Sequence, residues 1–222
     1  MANDRRKVAL AGELVLPKPK SAEVLQFART PFICGFKAGW SKFNLCTVHI
    51  YYGTAKANDP RRVREIQDLA KVLAKRARAE STQPARPDGK TTIVRNTGAE
   101  NLILLGDFNI FSRDDETMKA LSKAGFIVPD ALRAENLGSN VKRTHFYDQI
   151  AVYPHGNRFE TTKRGGVFDY FGVVFKPEEE KAYGSLMGEG YAKKKTDKER
   201  SRYYGDWRTF QMSDHLLMWA EI

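Results

Sequence analysis

The chain has 222 residues, of which 41% are hydrophobic and 11% aromatic; this is enough for one full domain with a sizeable core and excludes a disordered chain. Lys and Arg outnumber Asp and Glu 37 to 27, and the resulting formal charge of +10 favours a polyanionic partner, nucleic acid first. The two cysteines, Cys34 and Cys46, form no CxxC pattern, no apolar run approaches the roughly 18 to 20 residues of a membrane span, and the N-terminus carries no secretory pattern; a reduced, cytoplasmic protein is expected.

No internal repeat is present. Val8 to Leu16 reads as a strand. Phe32 to Phe36 and Phe43 to Tyr51 are aromatic and β-branched runs around KAGWS, and they read as a β-hairpin. A turn at Gly39-Trp40-Ser41 sets Pro31 opposite His49, Arg29 opposite Tyr51 and Cys34 opposite Cys46. Arg29 and His49 then share a face as diagonal neighbours about 7 to 8 Å apart. Directly opposed strand cysteines bridge only with strain, so both are expected to be free thiols. Asp59-Pro60 starts a helix, with Asp as cap and Pro at the first position. Val63, Ile66, Leu69, Leu73 and Ala77 recur at helical spacing, and Arg61, Arg64, Lys71, Lys75 and Arg78 occupy the opposite face. That basic face reads first as solvated, and second as a contact for a phosphate backbone.

Residues 81–100 read as a polar loop, and Asn101 to Leu105 as a short buried strand. A short helix follows near Glu116 to Ala124 and stops at Gly125; Phe146 to Tyr153 is the next strand. Residues 155–212 read as irregular, with the charged stretch KKKTDKER at 193–200 as an exposed loop. Leu216 to Ile222 closes the chain as a strand.

Four short stretches carry chemistry. In Leu102-Ile-Leu-Leu-Gly106-Asp107-Phe108-Asn109 an apolar strand ends on a glycine, and Asp107 and Asn109 project at its C-terminal edge, where open α/β sheets place ligands. A carboxylate with an amide oxygen suits a hard cation such as Mg²⁺, although Gly, Asp and Asn are also ordinary turn formers. Ser213-Asp214-His215 sets a carboxylate beside an imidazole at a strand start, either a ligand with a proton acceptor or a satisfied polar strand start. Asp148 in FYDQIAVY needs a partner if buried, and His215 is a natural one. His49 ends a strand in LCTVHI, and with Arg29 it reads as a proton donor beside a phosphate clamp.

In this order, Arg29-Thr-Pro, Thr-Val-His49, Gly106-Asp107-Phe-Asn109, Tyr147-Asp148-Gln-Ile and Ser213-Asp214-His215 resemble the endonuclease/exonuclease/phosphatase superfamily, the deoxyribonuclease I-like proteins, from about Ala11 to Ile222. The resemblance implies an α/β fold, a four-layer α/β/β/α sandwich with Mg²⁺ or Mn²⁺ at one edge. It implies that Asp107 and Asp214 are metal ligands and that Asn109 orients the scissile phosphate. Asp148 and His215 become the dyad that activates water; His49 and Arg29 stabilise the phosphate, with either histidine as the acid. Members of the family also carry an early Asn and a metal-binding Glu. Nothing before Arg29 supplies them, and Glu13 lacks the right neighbours. Residues 1–222 are therefore expected to be one domain lacking its first strands, roughly the C-terminal three-fifths, with one sheet face uncovered.

The expected function is metal-dependent phosphodiester hydrolysis, a nuclease acting on DNA or RNA. A phosphatase or phospholipid phosphodiesterase is the alternative within the superfamily, and a basic fragment that binds nucleic acid without cleaving it is the non-enzymatic one. DNA against RNA, endo against exo cleavage and oligomeric state are not legible in the sequence.

Overall fold

The computed structural model describes residues 7–13, 27–38, 41–81, 101–153 and 160–222. A five-stranded sheet has the order β1 (Lys7–Glu13), β2 (Phe32–Ala38), β3 (Ser41–His49), β4 (Leu102–Asp107) and β5 (Asp148–Tyr153). All its neighbours are antiparallel except β3 and β4, which run parallel. Parallel neighbours need a crossover, and here it contains α1 (Pro60–Ser81). α2 (Glu116–Lys123) follows β4 and packs beside α1.

The side-chain period of a strand divides the sheet into two faces. One carries Ile33, Cys46, Val48, Leu102, Leu104 and Ala151, all buried with Ile66, Leu69, Leu73 and Ala77 of α1 and Met118 and Leu121 of α2. The other faces a two-stranded ribbon of β6 (Gly165–Phe168) and β7 (Leu217–Ala220), whose Met218 and Ala220 pack against the core. The ribbon's Phe168, Leu217 and Trp219 are exposed. The α/β class therefore holds. The layers defined by the described residues are the helical pair, the sheet and the ribbon; these elements do not establish the fourth layer expected from the resemblance.

Three expectations need correction. The hairpin is displaced by one residue: Phe32 pairs with Thr47, Cys34 with Leu45 and Ile33 with Cys46. Ala38 pairs with Ser41, and the expected turn residues Gly39 and Trp40 lie outside the described residues. A one-residue slip moves side chains to opposite faces; Cys34 and Cys46 are no longer opposed, and both are free thiols. Burial pushes the Cys46 thiol up to about 12. Asp148 begins β5 rather than lying inside an apolar strand from Phe146. Residues 155–212 are not irregular throughout. They include β6, a 3-10 turn at Pro177–Tyr183, α3 (Gly188–Ala192) and α4 (Asp197–Gln211). Thr196 and Glu199 close a reciprocal capping box at the start of α4, inside the charged stretch that reads as a loop. The tail of the expected first strand, 14–16, and most of the expected loop, 82–100, lie outside the described residues. Among the described residues, no helix is long and apolar enough to cross a membrane.

Helix α1 begins as expected. Asp59 accepts from the backbone N–H groups of Arg61 and Arg62, with Pro60 at the first position. Gly106 has φ +134°, and a Cβ there would run into the Val48 carbonyl of β3. Gly106→Ala is expected to cost about 2 to 4 kcal/mol in urea unfolding. A loss below about 0.5 kcal/mol, the level of an ordinary surface change, would show that β3 and β4 tolerate separation at this point.

Candidate active site

The parallel register sets His49 beside Asp107, and the antiparallel register sets Asp107 beside Asp148. Paired residues share a sheet face, so these three side chains form one row on the face away from the helices. His49 Nε2 lies 3.4 Å from Asp107 Oδ2. At the other end His215 Nδ1 lies 2.7 Å from Asp148 Oδ2. The result is a string of imidazole, carboxylate, carboxylate and imidazole across three strand ends and the approach to β7.

Local structure fixes the string. The Asp107 carboxylate accepts from the Asn109 backbone N–H at 2.8 Å, and Asn109 sits in the left-handed region at φ 52°, which asparagine tolerates better than most residues. The buried Asn109 side-chain amide donates to the Ile50 carbonyl at 2.7 Å, tying the exit of β4 to the residue after His49.

Further residues brace the dyad, and the sequence reading did not find them. Ser139 is fully buried; its hydroxyl accepts from the Asp148 N–H at 2.9 Å and its carbonyl from the Leu216 N–H at 2.6 Å. Asn140 bridges to His215 through the backbone. The Tyr170 hydroxyl lies 2.7 Å from the carbonyls of both Ser213 and His215. Gly138-Ser139-Asn140 looks like any polar turn in the sequence, and Tyr170 lies far from both motifs, so neither carried a signal. The His215 ring lies tilted against Tyr147, with ring centres 5.5 Å apart, and His145 and Phe111 continue the aromatic run.

Electrostatics follow from this packing. The hydrogen bond to Asp148 raises the His215 pKa to about 9, against the opposing effect of burial and with further help from the charges of Asp148, Asp107 and Asp214. Burial pushes the Asp107 carboxyl up, offset in part by the Asn109 N–H and the His215 charge, while Asp148 pushes it higher.

The structure brings His49, Asp107, Asn109, Asp148 and His215 together. Donor atoms of Asp107, Asp148 and His215 lie within 4.8 Å of one another, a group able to hold a cation. Asp214, expected as a ligand beside Asp107, is exposed and outside that group; its carbonyl accepts from the Val141 N–H at 3.1 Å. Arg29 is exposed, precedes β2 instead of lying in it, and its charge acts on Glu65. The shared face expected for Arg29 and His49 does not form, because the hairpin register is displaced and β2 starts at Phe32.

No family model and no curated protein matches this chain. Solved structures do. D. rerio TDP2 complexed with single-strand DNA product is 14% identical with a TM-score of 0.50, over 97% of this chain and 68% of that one. The chain has the fold of the endonuclease/exonuclease/phosphatase superfamily. The human Nocturnin catalytic domain is 17% identical over 68% of this chain and 49% of that one, with a TM-score of 0.45. A Leptotrichia buccalis endonuclease/exonuclease/phosphatase family protein is 13% identical over 97% of this chain and 62% of that one, with a TM-score of 0.45. The chain spans about half the length of the first solved structures it matches, 49% of the Nocturnin domain and 54% of a functionally unknown conserved protein from Enterococcus faecalis V583.

The raised His215 pKa has a definite sign. The stabilisation it brings is complete below the unfolded value near 6.5 and is lost as pH rises through about 9. In metal-free protein, the His215 imidazole is expected to titrate near 9 by NMR and to move down toward 6.5 in Asp148→Asn. An unshifted titration in wild type would show that the 2.7 Å contact is absent in solution.

Proposed function

We propose that this chain carries the hydrolytic site of a metal-dependent phosphoesterase that cleaves phosphodiesters in nucleic acid. The observation that carries this reading is the row His49, Asp107 and Asp148 with His215 bonded to Asp148 at 2.7 Å. Two carboxylates face each other across β4 and β5, an arrangement that repels unless positive charge lies beside it. The donor set fits a hard cation: carboxylate oxygens dominate it, and Asp148 Oδ2 is already engaged by His215. Asp107, whose donor atoms lie within 4.8 Å of those of Asp148 and His215, would hold Mg²⁺ or Mn²⁺, which supplies positive charge to the phosphate oxygens when bound.

In this reading, Asp148 holds the His215 ring and stabilises its charge, so that His215 removes a proton from the attacking water once its own has left. His49, half-exposed at the other end of the row, gives a proton to the leaving oxygen. The reverse assignment exchanges the two imidazoles. Asn109, whose N–H is bonded to the Asp107 carboxylate, would orient the phosphate. The excess of basic residues supports nucleic acid as the substrate, as does the DNA product carried by D. rerio TDP2. Residues 1–222 form a single domain in this reading.

The test is nicking of supercoiled plasmid by the purified chain with Mg²⁺ or Mn²⁺. Nicking is expected, with loss of roughly 10²-fold or more in Asp107→Ala and in His215→Ala, the size of effect of one general acid or base. Phosphate release from a phosphomonoester with intact plasmid would move the reading to a phosphatase. Binding without any hydrolysis would overturn it for this chain.

A further inference from the structure

The outer face of α1 carries a stripe that the site does not use. Arg61, Arg64, Lys71 and Lys75 recur at intervals that keep them on one side of the helix, and all four are exposed. The ion pairs among the described residues lie elsewhere, and none joins these four to a carboxylate. Asp68 is the one acidic residue within the stripe. The stripe extends about 21 Å from Arg61 to Lys75 at the rise of an α-helix.

Its upper end lies at the same sheet edge as the candidate site, on the other side of the sheet from the row. The Arg61 guanidinium lies 4.0 Å over the Tyr51 ring, two residues beyond His49. The intervening Ile50 donates to the Asp107 carbonyl and accepts from Asn109. Its composition selects the partner. A membrane-surface helix interleaves basic residues with exposed Leu, Phe or Trp that enter the acyl boundary. The apolar residues of α1 turn inward instead: Ile66, Leu69, Leu73 and Ala77 are buried and Val72 packs on the core. A row of exposed cations that make no ion pair among the described residues, on a helix whose aliphatic residues turn inward, suits a phosphate backbone, which is held mainly by charge.

We infer that the outer face of α1 is a track for the phosphate backbone of a single-stranded segment leaving the candidate site, with Arg64, Lys71 and Lys75 as its contacts. The inference rests on the nucleic-acid reading of the site, but it concerns binding and not cleavage. The decisive experiment is fluorescence anisotropy in EDTA, with labelled single-stranded oligonucleotides of 4 and 20 nucleotides (on the order of one site and of site plus track) across a salt series. The triple variant Arg64→Gln, Lys71→Gln, Lys75→Gln is compared with Lys181→Gln, Lys193→Gln, Lys198→Gln, which removes equal charge from exposed positions elsewhere. The track variant is expected to bind the longer strand roughly tenfold more weakly, with a log–log salt slope shallower by about 2, and to bind the short strand like wild type. The control variant is expected to keep the wild-type slope. Equal slopes in the two variants, equal loss on both strand lengths, or no binding of the longer strand by wild type would each overturn the track. So would a defect confined to phosphatidylserine vesicles. Length-dependent loss in a chain that cleaves nothing would leave the track standing and remove the hydrolase reading.

Discussion

The structure depends on one constraint: two carboxylates, Asp107 and Asp148, are set directly opposite each other by the β4–β5 ladder. Like charges in that position are destabilising, and Asp107 bears the consequence in a carboxyl pushed up by burial and by its neighbour. The ladder cannot relax the pair, because Gly106 and Gln149 behind it are in register and β3 presses on Gly106 from the other side. Compensation comes from outside the two strands. His215 is hydrogen-bonded to Asp148, His49 lies against Asp107, and the Asn109 N–H donates to the other oxygen of Asp107. Charged and titratable groups are thus concentrated at one sheet edge, which is why this edge is the candidate site.

Holding His215 in reach of Asp148 requires a second set of contacts, because Asp148 begins β5 while His215 lies outside the sheet, just before β7. Ser139 joins the start of β5 to Leu216 through one hydroxyl and one carbonyl. Tyr170 gathers the carbonyls on both sides of Asp214. The same logic governs the loop after β3, where the fully buried Arg62 donates to the carbonyls of Tyr51, Tyr52, Thr54, Lys56 and Ala57. Burial pushes the Arg62 pKa down, yet the side chain makes a dense set of bonds, as a buried cation must.

What was legible in the sequence were the points where a single residue type satisfies a local demand. Asp59-Pro60 is a helix start in any context. An apolar run ending in Gly-Asp-Phe-Asn ends a strand, and the order of the motifs points to the fold. The hairpin register was not legible, because KAGWS permits a two- or a three-residue loop and only the sheet decides between them. α4 was missed although Thr196 and Glu199 stand at the spacing of a capping box, since a run of lysines masked it. Asp148 and His215 were paired on chemical need alone. The partners that hold them, Ser139 and Tyr170, work through hydrogen bonds to backbone groups, which leave no trace in residue pattern.

The parallel pairing of β3 with β4 ties these features together. Parallel strands bring their C-terminal ends to one edge, which places His49 beside Asp107. The crossover that makes this possible must leave from that same edge, so α1 begins where β3 ends and runs back along the sheet. Arg62 can gather the loop after β3 only because it sits in the first turn of that helix, and Asn109 can reach Ile50 only because the two strands end level. The buried side of α1 then supplies the core under the row, while its exposed side descends from the same edge. One topological choice thus sets the geometry of the carboxylates, the bracing of the loop and the direction in which the basic face extends.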